Sequence, residues 1–290
     1  MKEVIGMKFS VFTVMVPELT PKDILITLKE QGYDGVEWRC KETSGELRQQ
    51  PVSFWGNNLC TISPNSTEAQ LAELRSQIEQ FNIETVSVNP YLDCSNLDDT
   101  ENVLKIASQL GASMIRVGVP RYDRSVNYQD LFKQARNYLH EVEEMCKQYK
   151  IKGLVETHHV TIAPSASLAH RLVDQLDPKY IGVLFDPGNM IFEGYENHKM
   201  GLELLGPYLA HVHMKNASWK TKGQREDGSA IWEPAWDLVE NGVVNWKQVL
   251  SDLKSVGYDG YIGMEDFSGV FTNEEALRHN ISFIKHLLDD

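Results

Sequence analysis

The sequence predicts an α/β fold of the (β/α)8, or TIM barrel, class, and three observations carry that prediction. Eight short apolar or β-branched runs alternate with helical stretches from end to end, and such alternation implies a parallel sheet. No Pro-, Gly- or Ser-rich linker separates the eight units, so the 290 residues read as one closed barrel over 1–290 rather than as two domains. The doubly wound alternative lacks its signatures, since no G-x-G-x-x-G follows the first run and no G-x-x-x-x-G-K-[ST] occurs. A tetrapeptide echo fits barrel quasi-symmetry. GYDG stands at 32–35 before GVEW and at 257–260 before YIGMED, each time a helix-ending glycine and a turn glycine leading into a glutamate-bearing strand.

The elements follow in order. KFSVFTVMV (8–16) is the first expected strand. Thr20 caps the helix PKDILITLKEQ, with Pro21 at its first position. GVEWRC (35–40) is the second strand, and STEAQLAELRSQIEQF (66–81) is an amphipathic helix opened by Ser66 or Thr67. ETVSVNPYL (84–92) and SMIRVGVP (113–120) flank the helix DDTENVLKIASQLG. The long helix NYQDLFKQARNYLHEVEEMCKQYK precedes KGLVETH (152–158). SASLAHRLVDQL is helical, YIGVLFDPGN (180–189) a strand, and HKMGLELLGPYL leads to the strand LAHVHMKN (209–216). NWKQVLSDLKSVG, the strand YIGMEDFS (261–268) and EEALRHNISFIKHLL close the chain. Two connections, 41–65 and 217–244, exceed simple turns and fall on the C-terminal face. Their aromatics (Phe54, Trp55, Trp219, Trp232, Trp236) suit covers over a cleft.

Composition excludes several classes. With 28 basic and 41 acidic residues the formal net charge is −13, which opposes nucleic-acid binding. No run of about 18 apolar residues is present to span a membrane, and MKEVIGMKFS lacks the apolar centre of a signal peptide. Cys40, Cys60, Cys94 and Cys146 show no C-x-x-C spacing. Free thiols in a cytoplasmic protein are the expectation.

Chemistry in a barrel gathers where strands end at their C-terminal side. There the sequence offers Glu37 and Arg39, Arg116, Glu156 and His158, Asp186 and Asn189, His211, His213 and Lys215, and Glu265. The pair His211 and His213 shares one strand face, which suits either a metal site or a half-buried polar layer. Acids buried in this number need a cation. Glu156, Asp186, one histidine and Glu265 on four consecutive strands make an oxygen-rich set for one divalent ion, Mn²⁺, Mg²⁺ or Co²⁺, with Zn²⁺ allowed. The bland alternative pairs each acid with an arginine or lysine.

GYDGVEWR, VETHH, LFDPGN, HVHMKN and YIGMEDF, in this order and spacing across the chain, resemble the strand-end motifs of the xylose isomerase-like barrels. More narrowly they resemble the sugar phosphate isomerase/epimerase family of ketose 3-epimerases, hydroxypyruvate isomerases and inosose dehydratases. The resemblance implies metal ligands at Glu156, Asp186, His213 and Glu265, with His211 in support. It implies a sugar isomerase or epimerase working by proton transfer through a metal-bound enediolate, with Glu156 and Glu265 as the catalytic acid–base pair. Glu37, Arg39, Arg116, His158, Asn189 and Lys215 are expected near substrate, the basic ones (with Arg121) either binding a phosphate or carboxylate or balancing the acids.

Two departures from the ketose 3-epimerase pattern leave the sugar open. Asn189 stands where a histidine follows the aspartate, and Lys215-Asn216 replaces Gly-Glu. A dehydratase using the same ligands and a non-catalytic sugar-binding barrel are the competing readings. An apurinic-endonuclease-type hydrolase would need histidines on early strands, and none precedes His140. The expected partner is a small sugar or sugar acid, with a homo-oligomer left open.

Overall fold

The computed structural model describes residues 6–289. Eight parallel strands form the barrel: β1 Lys8–Phe12, β2 Gly35–Cys40, β3 Glu84–Pro90, β4 Met114–Arg116, β5 Lys152–Glu156, β6 Ile181–Phe185, β7 Leu209–Met214 and β8 Tyr261–Met264. Each pairs with the next, and β1 pairs with both β2 (Ser10 opposite Gly35) and β8 (Lys8 opposite Tyr261), which closes the sheet. The eight-stranded α/β barrel expected from the alternation is therefore the observed fold.

Helices α1 (Pro21–Gln31), α2 (Glu68–Phe81), α3 (Leu97–Leu110), α4 (Tyr128–Tyr149) and α5 (Ala166–Val173) follow β1 and β3–β5 or precede β3. Beyond β6 come α6 (Pro187–Glu193) and α7 (His198–Leu205), and α8 (Trp246–Ser255) and α9 (Asn273–Asp289) flank β8. Their starts are chemically specified. Thr20 accepts from the Asp23 N–H and Asp23 caps in return, with Pro21 leading the helix; Thr67 and Gln70 repeat the device at α2. The GYDG echo is a real structural repeat. Gly32 and Gly257 have φ of 78° and 77°, the left-handed turn that lets a helix stop and a strand begin.

The strands end earlier than their apolar runs. β1 stops at Phe12 because Thr13–Met15 turns into a 3-10 helix. β6 stops at Phe185 because Pro187 offers no N–H to a ladder and Asp186 caps α6 instead. The connection 41–65 carries a two-residue strand, Thr61–Ile62, paired with β2 beyond the end of β1. The connection 217–244 is no loop for most of its length. Asn216–Gln224 and Ala230–Asp237 form an antiparallel hairpin turning at Asp227-Gly228, with Gly228 at φ 83°, a hairpin signal present in the sequence.

Packing divides into two regions. A continuous apolar core lies between the barrel and its helices, with Trp38, Phe12, Phe185, Leu28 and Leu104 among its fully buried members. A small apolar plug of Val86, Met114, Leu154 and Leu184 forms a separate cluster. Two residues above Met114, Leu154 and Leu184 on the same strand faces stand Arg116, Glu156 and Asp186. The polar interior thus rests on an apolar floor. All four cysteines are buried free thiols, and among the described residues no helix is long and apolar enough to cross a membrane.

Candidate metal and active site

Above the plug the barrel holds two polar layers. In the lower one Glu37, wholly buried, accepts hydrogen bonds from Ser10 Oγ at 2.7 Å, Asn89 Nδ2 at 3.2 Å and Ser87 Oγ at 3.3 Å. His213 Nε2 donates to Glu37 Oε2 at 2.9 Å, and His211 Nε2 lies 2.9 Å from Oε1. Burial opposes the charge on Glu37, yet His211 and His213 hold its carboxyl well below the usual range. Room for that carboxylate comes from Gly263 on β8, where a Cβ would stand 2.0 Å from Glu37 Oε1. Glu37 thus grips histidines beneath the cavity; it neither lines it nor touches Arg39.

In the upper layer Glu156, Asp186, His213 and Glu265 converge, one potential ligand atom from each lying within 4.8 Å of the others. Because Nε2 of His213 is spent on Glu37, Nδ1 faces the acids: Glu265 Oε2 at 3.5 Å, Glu156 Oε1 at 3.8 Å and Asp186 Oδ2 at 4.0 Å. Neither His213 Nδ1 nor Glu265 Oε2 has a well-formed hydrogen bond, though both are buried. A lone pair aimed at three carboxylates requires a cation or a proton between them. Burial opposes a charged ring, but Glu37 below and Glu265 above outweigh it and raise the His213 pKa well beyond the ordinary imidazole value. Three carboxylates and one imidazole oriented by a carboxylate are the donor set of a hard divalent-ion site, so these residues fit such an ion.

The remaining residues surround the four. Burial works against ionised Glu156, and Arg116, whose Nη1 is 2.8 Å from Oε2, holds its carboxyl low. Asp186 moves the other way, since burial and the neighbouring Glu265 and Glu156 outweigh Lys215 and raise its pKa. Asn189, expected beside substrate, is instead wholly buried behind the acids. Its backbone N–H donates to the capping Asp186 Oδ1 at 2.9 Å, and its side-chain amide reaches Asp186 Oδ2 at 2.7 Å and Glu156 Oε1 at 3.3 Å. It can do so because β6 ends before it and α6 curls it back. Lys215 Nζ lies 2.8 Å from Asp186 Oδ2 and in contact with Glu265 Oε2. Gly188 permits that approach, for a Cβ there would meet the Lys215 backbone at 2.8 Å.

A cavity of about 540 Å³ opens above Glu156, Glu265 and Lys215. Trp55 from the first long connection, Trp236 from the hairpin and Phe267 after β8 form its aromatic wall, with Trp55–Phe267 centroids 4.8 Å apart. Phe54 packs behind Phe267, whereas Trp219 bonds the Ile191 carbonyl away from the cavity and Trp232 is 55% exposed. Of the basic candidates, Arg116 and Arg121 line the cavity. Arg39 does not. Its guanidinium is buried against Thr61 Oγ1 and the Trp55 carbonyl at 2.9 Å, so it ties the 41–65 connection to the barrel. His158 lines the cavity and donates Nδ1–H to the His159 carbonyl at 2.7 Å.

Three features escape a reading of strand alternation. His159, which strict strand alternation would turn away from His158, lines the same cavity, stacked between His158 and Phe192 at 4.3 Å each. β5 has ended at Glu156, so alternation no longer governs it. Burial, with the charges of His158 and Lys215, pushes its pKa down to about 3. Tyr91 has the Arg39, Lys41 and Arg116 charges within 5.1–5.5 Å of its ring. Gly263 and Gly188 make the space for Glu37 and Lys215, which only the folded geometry reveals.

Comparison with known proteins gives a consistent set of likenesses. The family model for xylose isomerase-like TIM barrels matches residues 25–287. Inosose dehydratase from Geobacillus thermodenitrificans is 28% identical over 119 residues, 39% of this chain and 40% of that protein. The chain thus spans only two fifths of that relative's length. Inosose dehydratase 2 from Bacillus cereus is 22% identical over 74% of this chain and 78% of its own. The solved D-psicose 3-epimerase of Clostridium cellulolyticum superposes with a TM-score of 0.70 over 97% of this chain and 99% of its own, at 15% identity; at that distance the likeness shows the fold alone.

Proposed function

Because the chain belongs to the xylose isomerase-like TIM barrel family, a superfamily of sugar isomerases, epimerases and dehydratases, we propose that it is a divalent-metal-dependent enzyme that moves a proton on the carbon beside a sugar carbonyl. The observation that supports this reading most is the buried Nδ1 of His213, which faces Glu156, Asp186 and Glu265 without a well-formed hydrogen bond. A divalent ion held by these four would supply Lewis acidity, making a carbon-bound proton beside a coordinated carbonyl acidic.

The chain's own residues then divide the work. Glu156 and Glu265 stand on strands separated by two others and both line the cavity, so one can take a proton and the other return it. Arg116 fixes Glu156 Oε2, and His158, with Nδ1 spent on the His159 carbonyl, has Nε2 left to bond a substrate hydroxyl. The aromatic wall of Trp55, Trp236 and Phe267 limits the access of water to the cavity. Return of the proton to the opposite face gives epimerisation, and return to the neighbouring carbon gives aldose–ketose isomerisation. The buried free thiols favour a reducing, cytoplasmic setting.

Dehydration is the second reading, and Lys215 favours it. The Lys215 ammonium beside Glu265 can protonate a departing hydroxyl, where ketose 3-epimerases carry Gly-Glu.

The test is metal content by plasma mass spectrometry on tag-free protein, beside His213→Ala. About one ion per chain, lost in the variant, is expected. A screen of ketoses and inososes in D2O should then find one whose carbon-bound proton exchanges. Wild-type protein that takes up no Mn²⁺, Mg²⁺, Co²⁺ or Zn²⁺ on soaking would sink the proposal.

A further inference from the structure

We propose that Lys215 is a built-in counter-cation that competes with the divalent ion for Asp186 and Glu265 and is released into the substrate cavity when that ion binds. The inference rests on the metal reading above and concerns the lysine rather than the ligands.

Lys215 lies two residues after His213, so the strand delivers its side chain to the same interior face as the imidazole. Its ammonium is held by protein groups. Nζ is 2.8 Å from Asp186 Oδ2, 3.1 Å from Asn189 Oδ1 and in contact with Glu265 Oε2. Asp186 Oδ2 and Glu265 Oε2 are also the oxygens nearest His213 Nδ1 on those two acids. Of the Asp186 oxygens, Oδ1 accepts from the Asn189 N–H at 2.9 Å, and Oδ2 is the one near both Lys215 and His213. The lysine and a metal ion therefore need the same two oxygens, and two cations so close in a buried site repel strongly.

The lysine also has somewhere to go. Nζ sits 4.9 Å from the Trp236 ring centroid and 5.3 Å from that of Phe267, within range of a cation–π contact. Both rings line the substrate cavity. Withdrawal from the acids towards these faces moves a hydrogen-bond donor from the ligand layer to the cavity floor. Without the ion, Lys215 neutralises the acids and keeps the interior folded; with the ion, it becomes a group that substrate meets. Binding of the ion and readiness of the cavity are thereby linked through one side chain.

Calorimetric titration of chelator-treated protein with Mn²⁺ alone, on wild type and Lys215→Met, tests the competition. The variant should bind Mn²⁺ at least about tenfold more tightly. It should also melt at a lower temperature than wild type without Mn²⁺ and recover with it. Equal or weaker Mn²⁺ binding by folded variant protein overturns the inference while leaving the metal reading intact. Absence of Mn²⁺ binding in both proteins overturns the two together. A second measurement needs no variant. Reductive methylation of wild type, followed by peptide mass spectrometry, should label Lys215 faster with Mn²⁺ than without it, and an unchanged rate overturns the release.

Discussion

The two polar layers of the barrel use the same chemistry to opposite ends. The lower layer, Glu37 with His211 and His213, also has the composition of a metal site, yet its carboxylate is spent on Ser10, Ser87, Asn89 and His213. The upper layer, Glu156, Asp186, His213 and Glu265, leaves His213 Nδ1 and Glu265 Oε2 without a well-formed bond. Composition alone does not separate them; the distribution of donors does. Small hydroxyl and amide side chains surround the carboxylate of the lower layer, whereas the upper one meets the cations Arg116 and Lys215 besides the Asn189 amide. His213 belongs to both layers, one nitrogen in each.

The largest expected effect follows from that division. Glu156→Gln keeps the shape and the contact with Arg116 but removes an acid–base group, and proton exchange on the substrate should fall by roughly 10²–10⁴ with the melting curve little changed. Undiminished exchange would mean that the upper layer holds no working base. Glu37→Gln should be milder. It weakens the acceptor that fixes the His213 ring, so Mn²⁺ affinity should drop about 10- to 100-fold, measured by calorimetry. Loss of Mn²⁺ binding altogether would erase the distinction between positioning and ligating acids.

Much of this arrangement is legible in the sequence, and the reason is periodicity. Glu156, Asp186, His213 and Glu265 each stand at or within one residue of the end of β5 to β8, so alternation and barrel topology suffice to bring them together. The residues that read less clearly stand where periodicity has stopped. Asn189 looks like a strand-end neighbour of substrate until Pro187 starts a helix and turns it back onto Asp186. His158 and His159 lie past the end of β5, where a turn puts both on the cavity wall. Arg39 does lie on a strand, but its partners, Thr61 and Trp55, come from a connection whose path no local pattern encodes. Glu37 is ambiguous for another reason. An acid two positions from an arginine reads as its partner, and only the packed barrel shows that Gly263 opens its way to the histidines.

The smallest effect sharpens the comparison most. Ser10 Oγ donates to Glu37 Oε1 at 2.7 Å inside the wholly buried lower layer. Ser10→Ala removes one donor of several and leaves the bond between Glu37 Oε2 and His213 in place. A hydrogen bond to a buried charge contributes about 2 kcal/mol, which for a chain of this size lowers the melting temperature by roughly 3 °C. Mn²⁺ affinity should change less than about threefold, because the imidazole keeps its orienting oxygen. A melting shift without an affinity shift means the lower layer supports the fold through many replaceable contacts and the metal site through one. An affinity loss as large as that of Glu37→Gln would instead show that the two layers act as a single network, in which Ser10 positions His213 as surely as Glu37 does.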